Sequence, residues 1–194
     1  MAAPDRQRFE VRRAGPGDWQ HVRNVRLAML LDSPRAFGST YARDAALDDA
    51  EWAARLAPER HPCWLAWTTE PRLPVRPVGS VTVLRPEPDD PGDHPHLVAM
   101  WVSPSARGMG VGAALVAEAV AYARDDLGAD LLFLDVADDN EAAVSLYRRA
   151  GFVPTGVTGW LPWDERVTES ELALALRPGV EVPTSPTTPP RPCA

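Results

Sequence analysis

The sequence predicts an α/β (α+β) fold, with a mixed, mostly antiparallel central sheet of six to seven strands, a central parallel βαβ unit, and helices on both faces. Three observations predict it. Residues 131–136, Leu-Leu-Phe-Leu-Asp-Val, form an almost continuous apolar run between Gly128 and Asp138-Asp139; continuous rather than alternating hydrophobicity marks a strand covered on both faces. A second apolar run at 97–102 precedes a helical pattern from 111 to about 127, so the two strands flank one helix and should be parallel. Shorter strand-like runs on either side, bounded by Pro and Gly clusters, supply the antiparallel remainder.

In chain order, a short strand at 9–13 leads through Gly15-Pro16-Gly17 to Asp18, a good N-cap. Val22, Val25, Met29 and Leu30 then recur at helical spacing up to Ser33-Pro34, and this stripe reads as core rather than a partner surface. Residues 37–45 form a link, and 48–56 reads as a second short helix closed by Pro58. The runs at 63–68 and 78–84, split by the proline-rich turn 71–77, suggest a hairpin, and 85–95 a polar loop. After the βαβ unit, a helix at 140–150 ends at Gly151, a natural position for a left-handed glycine. Strands near 153–160 and 171–177 complete the sheet. From Pro178 the chain is rich in Pro and Thr with no apolar face, so 178–194 is expected to be a disordered tail. Residues 1–177 are expected to form a single domain, which suits a chain of 194 residues that is 45% hydrophobic.

A formal charge of -7 and a pI near 5.1 argue against a nucleic-acid partner and weakly favour a cationic one. Cys63 and Cys193 are the only cysteines and indicate no disulfide framework. The N-terminus MAAPDRQRFE carries charges where a secretory signal needs an apolar core, and no run approaches membrane-spanning length. A cytoplasmic protein with no membrane partner and no metal is expected.

The most informative stretch is Arg107-Gly108-Met109-Gly110-Val111-Gly112. Glycine allows backbone torsions and close approaches that a Cβ forbids, so successive N–H groups can converge on an anion. The helix that follows adds unpaired N–H groups and a positive dipole end. A phosphorylated cofactor is one reading; a glycine-rich turn capping an ordinary helix is the other. Gly108-x-Gly110-x-x-Ala113 also matches the relaxed dinucleotide fingerprint, but residues 103–107 separate it from its strand and the unit sits too late in the chain. A P-loop is excluded because no Lys followed by Ser or Thr stands after Gly112.

Taken with Leu134-Asp135-Val136, Asn140, Ala143, Leu146-Tyr147 and Gly151-Phe152, the block Val102-x-Pro104-x-x-Arg107-Gly108-x-Gly110-x-Gly112 resembles the GCN5-related N-acetyltransferase (GNAT) family. Pro-Arg-Ala-Phe-Gly-Ser-Thr-Tyr at 34–41 resembles the link between its first two helices. The resemblance implies that backbone N–H groups of Arg107, Gly108, Met109, Gly110, Val111, Gly112 and Ala113 hold the pyrophosphate of acetyl-CoA. It also implies that two splayed strands admit the pantetheine arm beside Trp101 and Val102. Asn140, Ala143 and Tyr147 are implied at the cofactor, although Asn140 also reads as a plain N-cap. Arg107 is either a charge near the phosphates or a solvent-facing side chain.

Acetyl transfer needs a neutral amine, and neutralising a lysine-like amine at pH 7 costs about 4–5 kcal/mol. Asp135, the one ionisable group in an apolar central run, is expected to be buried and raised in pKa, and so to serve as a base, directly or through water; the alternative reading is that it pins a neighbouring loop by hydrogen bonds. His94 and His96 are rival bases. Tyr147 lies seven residues after Asn140 and so on one helix face with it; the resemblance makes it the proton donor to the leaving thiolate. The competing reading is a core tyrosine beside Phe152. The acceptor pocket is implied at Phe37, Tyr41, Trp160 and Trp163, with Asp164 and Glu165 offering negative charge to a cation. A small amine or amino-acid-like acceptor is expected. A non-catalytic coenzyme-A-binding regulator and a protein N-terminal or lysine acetyltransferase are the alternatives, and exposed tryptophans leave room for a homodimer.

Overall fold

A computed structural model describes residues 8–57, 61–69, 75–86 and 94–184. Its elements are β1 (Phe9–Arg13), α1 (Trp19–Asp32), α2 (Tyr41–Ala45), α3 (Asp49–Ala54), β2 (Cys63–Thr68), β3 (Pro77–Leu84), β4 (His96–Val102), α4 (Val111–Ala121), β5 (Leu131–Ala137), α5 (Glu141–Arg149), β6 (Val153–Leu161) and β7 (Asp164–Ala175). The strands form one sheet in the order β1-β2-β3-β4-β5-β7-β6. Only β4 and β5 run parallel, so the sheet is the mixed, mostly antiparallel one the sequence predicts.

Helices cover both faces. On one side α4 and α5 bury Val111, Leu115 and Tyr147, with Phe152 just after α5, against Leu132, Leu134 and Val136 of β5. On the other, Val25, Met29 and Leu30 of α1 meet Leu65, Trp67 and Trp101, the helical stripe of the sequence placed in the core. Burial of a side chain of this size contributes about 1.5–3 kcal/mol.

The parallel pair is short. His96↔Phe133 is its only register pair, so β4 and β5 part towards their C-terminal ends. A bulge in β4 accompanies the divergence: Ala99 has φ 51°, the register against β3 shifts between Ser80 and Thr82, and the Ser80 hydroxyl donates to the Ala99 carbonyl at 3.1 Å. An extra residue in one strand bends it and raises its twist, which turns β4 away from β5.

Four elements differ from expectation. The link at 37–45 contains α2, whose first turn is capped by Thr40 Oγ1 accepting from the Arg43 amide. Asp18 stands at the N-cap of α1 as expected, but its side chain does not cap that helix: it accepts from the Gly15 amide at 2.9 Å, at the end of a 3-10 turn. The long helix is α-helical only to Ala121 and closes in a π-turn, Tyr122–Asp126, which keeps Tyr122 and Ala123 buried. β7 starts at Asp164 instead of near 171, so β6 and β7 form a tight hairpin around Pro162-Trp163. The tip of the predicted hairpin turn at 70–74, most of the polar loop at 87–93, Pro58, and the tail from 185 with Cys193 lie outside the described residues.

Candidate active site

Beyond the end of β4 at Val102, a 3-10 turn, Pro104–Ala106, carries the chain to Arg107 and into α4. Gly108 and Gly110 have φ of 76° and 83°, and a Cβ at either would meet nothing within 4 Å. Glycine is needed here for torsion, not for space. Gly110 is the N-cap of α4 and brings no side-chain hydrogen bond, so the first N–H groups of an 11-residue helix are left without a side-chain cap. The loop and helix end therefore fit an anionic phosphorylated group. Gly112 serves close packing instead: a Cβ there would lie 3.2 Å from Leu146 and 3.3 Å from Met100. Val111 is buried, and Met109 and Ala113 are exposed.

The Arg107 side chain is exposed, in keeping with the solvent-facing expectation, but its guanidinium is engaged. It turns back from the loop: Nη2 is ion-paired with Asp32 at the end of α1, and Nε donates to the Val102 carbonyl at 3.1 Å. The Trp101 indole and the Ser33 hydroxyl donate to the same Asp32 oxygen, at 2.9 and 2.8 Å. Burial works to raise the Asp32 pKa, but the bonds from Trp101, Ser33 and Arg107 with the Arg107 charge outweigh it and hold the carboxyl below the usual range.

Asn140 is the N-cap of α5, its Oδ1 accepting from the Ala143 amide at 3.2 Å. Seven residues on, Tyr147 is 6% exposed and packs edge-on against Phe152 at 5.8 Å. Burial pushes its phenol pKa up. A protonated phenol thus stands in the α4–α5 layer beside β5.

On the opposite face, Asp135 is exposed, which corrects the expectation of a buried carboxylate. The physical reason is the divergence of β4: among the described residues its pairing with β5 is limited to His96 and Phe133, while Leu134 and Val136 still face the helices. Directly across β7 is Glu171, whose carboxylate accepts from Thr155 Oγ1 at 2.7 Å, and Glu169 lies opposite Ala137 on the same face. Neither glutamate was singled out from the sequence; the alternation of Val167, Glu169, Glu171 and Ala173 is the signal that would have found them. His94 and His96 stack on Phe133, at 5.0 and 5.6 Å, two residues from Asp135 on its strand.

The chain between α1 and α2 crosses this face. Its 3-10 turn, Pro34–Ala36, packs against β5, Arg35 pairs with Asp139 at 3.3 Å, and the Phe37 carbonyl accepts from Trp163 Nε1 at 2.9 Å. Phe37 is buried, and Tyr41 and Trp163 are exposed. Trp160 is not brought together with them: it pairs with Thr168, whose hydroxyl reaches Asp138, on the other face of the hairpin from Leu161. Asp164 is taken up by Arg166, and Glu165 is exposed. Open dishes of about 520 and 530 Å³ on the outer side of α5 and along β6–β7 contain none of the predicted site residues. Among the described residues no group of three or more His, Cys, Asp or Glu could hold a metal ion, and no helix is long and apolar enough to cross a membrane.

Comparison with known proteins agrees with this geometry. A mycothiol acetyltransferase of Salinispora arenicola (strain CNS-205) is 36% identical over 106 residues, 54% of this chain and 29% of that protein. The chain spans less than a third of the length of the curated relatives it matches first. The structure of yncA from Salmonella typhimurium with its cofactor acetyl-CoA superposes with a TM-score of 0.68 over 92% of this chain and 99% of that one, at 16% identity. Spermidine N-acetyltransferase from Vibrio cholerae in complex with CoA and spermine gives 0.66 over 87% and 96%, at 14% identity. At such identities the superpositions speak for the fold. The model of the Acetyltransferase (GNAT) family matches residues 27–152, from within α1 through the glycine loop to Phe152, and the chain belongs to that family.

Proposed function

We propose that the chain is an acetyl-CoA-dependent N-acetyltransferase that passes the acetyl group to a primary amine by direct attack in a ternary complex. The acceptor is a small cationic amine or amino-acid-like molecule. The observation that carries the donor half is the pair of left-handed glycines opening onto an uncapped helix end beside a splayed parallel pair. Bound acetyl-CoA supplies an activated thioester. The N–H groups from Gly108 to Ala113 hold its pyrophosphate, and the free edge of β4 at Trp101 and Val102, with Asn140 and Ala143, lines the gap for its arm.

The acceptor half rests on the carboxylates. Asp135 and Glu171 present negative charge on the face crossed by the α1–α2 link, which attracts an ammonium group. Asp135, exposed and one methylene shorter than glutamate, takes the amine proton through a bridging water. Tyr147, neutral because it is buried, gives the proton from its hydroxyl to the departing sulfur. Tyr41 and Trp163 form the aromatic rim, and Phe37, with its ring buried in the α1 core, anchors the link behind it. A Vibrio cholerae spermidine N-acetyltransferase of the same fold takes up spermine with CoA, an acceptor of the kind these carboxylates suit.

The test is thiol release from acetyl-CoA across a panel of polyamines, amino acids and peptides. Release is expected with small amines, greatly reduced in Tyr147→Phe and abolished in Gly110→Glu. Tight CoA binding with no release from any amine would instead assign the chain to a non-catalytic regulator.

A further inference from the structure

Arg107 belongs to the glycine loop, yet its guanidinium lies against α1. Two of its nitrogens are engaged at once. Nη2 is ion-paired with Asp32, and Nε donates to the Val102 carbonyl. That carbonyl has a definite direction. The Ser103 amide donates to Val78 of β3 at 2.8 Å, and successive residues of a strand point their backbone groups to alternate sides. Val102 therefore presents its N–H and C=O to the gap that opens towards β5. Arg107 fills a strand acceptor on the edge where the donor's arm would pair.

Asp32 fixes this arrangement. A single oxygen receives the Trp101 indole, the Ser33 hydroxyl and Arg107. It ends α1 and starts the link across the acceptor face, so one carboxylate touches the β4 edge, the phosphate loop and the link together. We propose that Asp32 is a positioning residue that holds the Arg107 guanidinium off the phosphate loop and over the Val102 carbonyl, so that binding of the CoA moiety must displace Arg107 from that carbonyl. The inference rests on the CoA-binding reading of the loop. It makes donor affinity a balance between Asp32 and the phosphates for one cation.

The consequence runs against ordinary damage. Asp32→Asn keeps an oxygen for Trp101 and Ser33 but loses the charge that retains Arg107. The freed guanidinium leaves Val102 open and can turn to the phosphates. Calorimetric titration of the full chain with CoA should show binding tightened by about three- to tenfold in Asp32→Asn, with a steeper salt dependence. In the Arg107→Gln background the same substitution should change nothing. Unchanged or weakened binding in Asp32→Asn, or an equal shift in both backgrounds, overturns the proposal. A measurement without variants decides the same point. In the wild-type chain the Arg107 Nε–H resonance should be protected from solvent exchange and lose protection when CoA saturates the protein; persistence of protection overturns the displacement. Failure of the wild-type chain to bind CoA would overturn the reading of the loop itself, a different result from binding that ignores Asp32.

Discussion

Asp135 and Glu171 are directly opposed on the β5–β7 ladder, one exposed and the other half-buried under a hydrogen bond from Thr155. Like charges facing across a ladder oppose folding, and a cationic amine placed between them relieves that repulsion. The two carboxylates should separate kinetically. Asp135→Asn should lower kcat/KM for a polyamine roughly a hundredfold at pH 7. The deficit should narrow as pH approaches the amine's own pKa of about 10, where less proton removal is required. Glu171→Gln should raise the acceptor KM with kcat held, the mark of lost uniform binding. Steady-state kinetics between pH 6.5 and 9.5 check both, and an Asp135→Asn deficit equal at every pH would assign Asp135 to binding alone.

Tyr147 gives a prediction at the alkaline end. Burial raises its folded pKa above the unfolded value of about 10, so the phenol's contribution to stability is fully present below about pH 10 and is lost as pH rises towards the folded value. The melting temperature should fall less steeply above pH 10 in Tyr147→Phe than in the wild type, while CoA affinity measured by calorimetry stays the same. Acetyl transfer by the variant at pH 7.5 should drop roughly a hundredfold. A core tyrosine without a role in transfer would show the first effect and not the second.

What could be read from the sequence followed the locality of the physics. Gly108 and Gly110 were legible because a left-handed torsion has few other solutions, and β5 because a doubly covered strand needs a continuous apolar run. The start of β7 was not, because residues 164–171 are mostly polar, and a strand so rich in polar residues has no strong apolar signature. Asp135 was misjudged as buried because nothing near it in sequence reveals that β4 leaves β5 after His96. The bulge that turns β4 sits at Ala99, an alanine with positive φ, which no propensity would suggest. The partner of Arg107 lies 75 residues away, at Asp32, beyond any local pattern.

Asp44 carries a stability prediction independent of the chemistry. It is 2% exposed and takes Arg26 Nε at 2.7 Å, the Ser39 hydroxyl at 2.9 Å and Arg55 at 3.8 Å. These bonds bind α1, the link and the residue after α3 into one unit. Removing one partner of a buried pair leaves an uncompensated charge, at a cost of about 3–5 kcal/mol. Asp44→Ala should therefore lower the melting temperature by roughly 6–20 °C. Arg26→Met leaves the more deeply buried Asp44 carboxylate without its nearest cation and should cost at least as much as Asp44→Ala by the same measurement. Equal melting temperatures for wild type and Asp44→Ala would mean that the network adds nothing net.

Trp163 tests whether the β6–β7 tip is part of the acceptor site. Its indole N–H reaches the Phe37 carbonyl at 2.9 Å, yet the side chain is 39% exposed. A bond of this kind contributes only about 0.5–1.5 kcal/mol, so Trp163→Phe should leave the melting temperature and CoA affinity almost unchanged. If the hairpin holds the link over the acceptor, the variant should raise the acceptor KM about three- to tenfold, the kinetic equivalent of that bond. Phe37 keeps its buried ring in the α1 core in the variant, so only the edge of the acceptor site loosens. Kinetics with a saturating donor and varied amine measure this directly, and an unaltered acceptor KM would place the acceptor elsewhere than beneath the link.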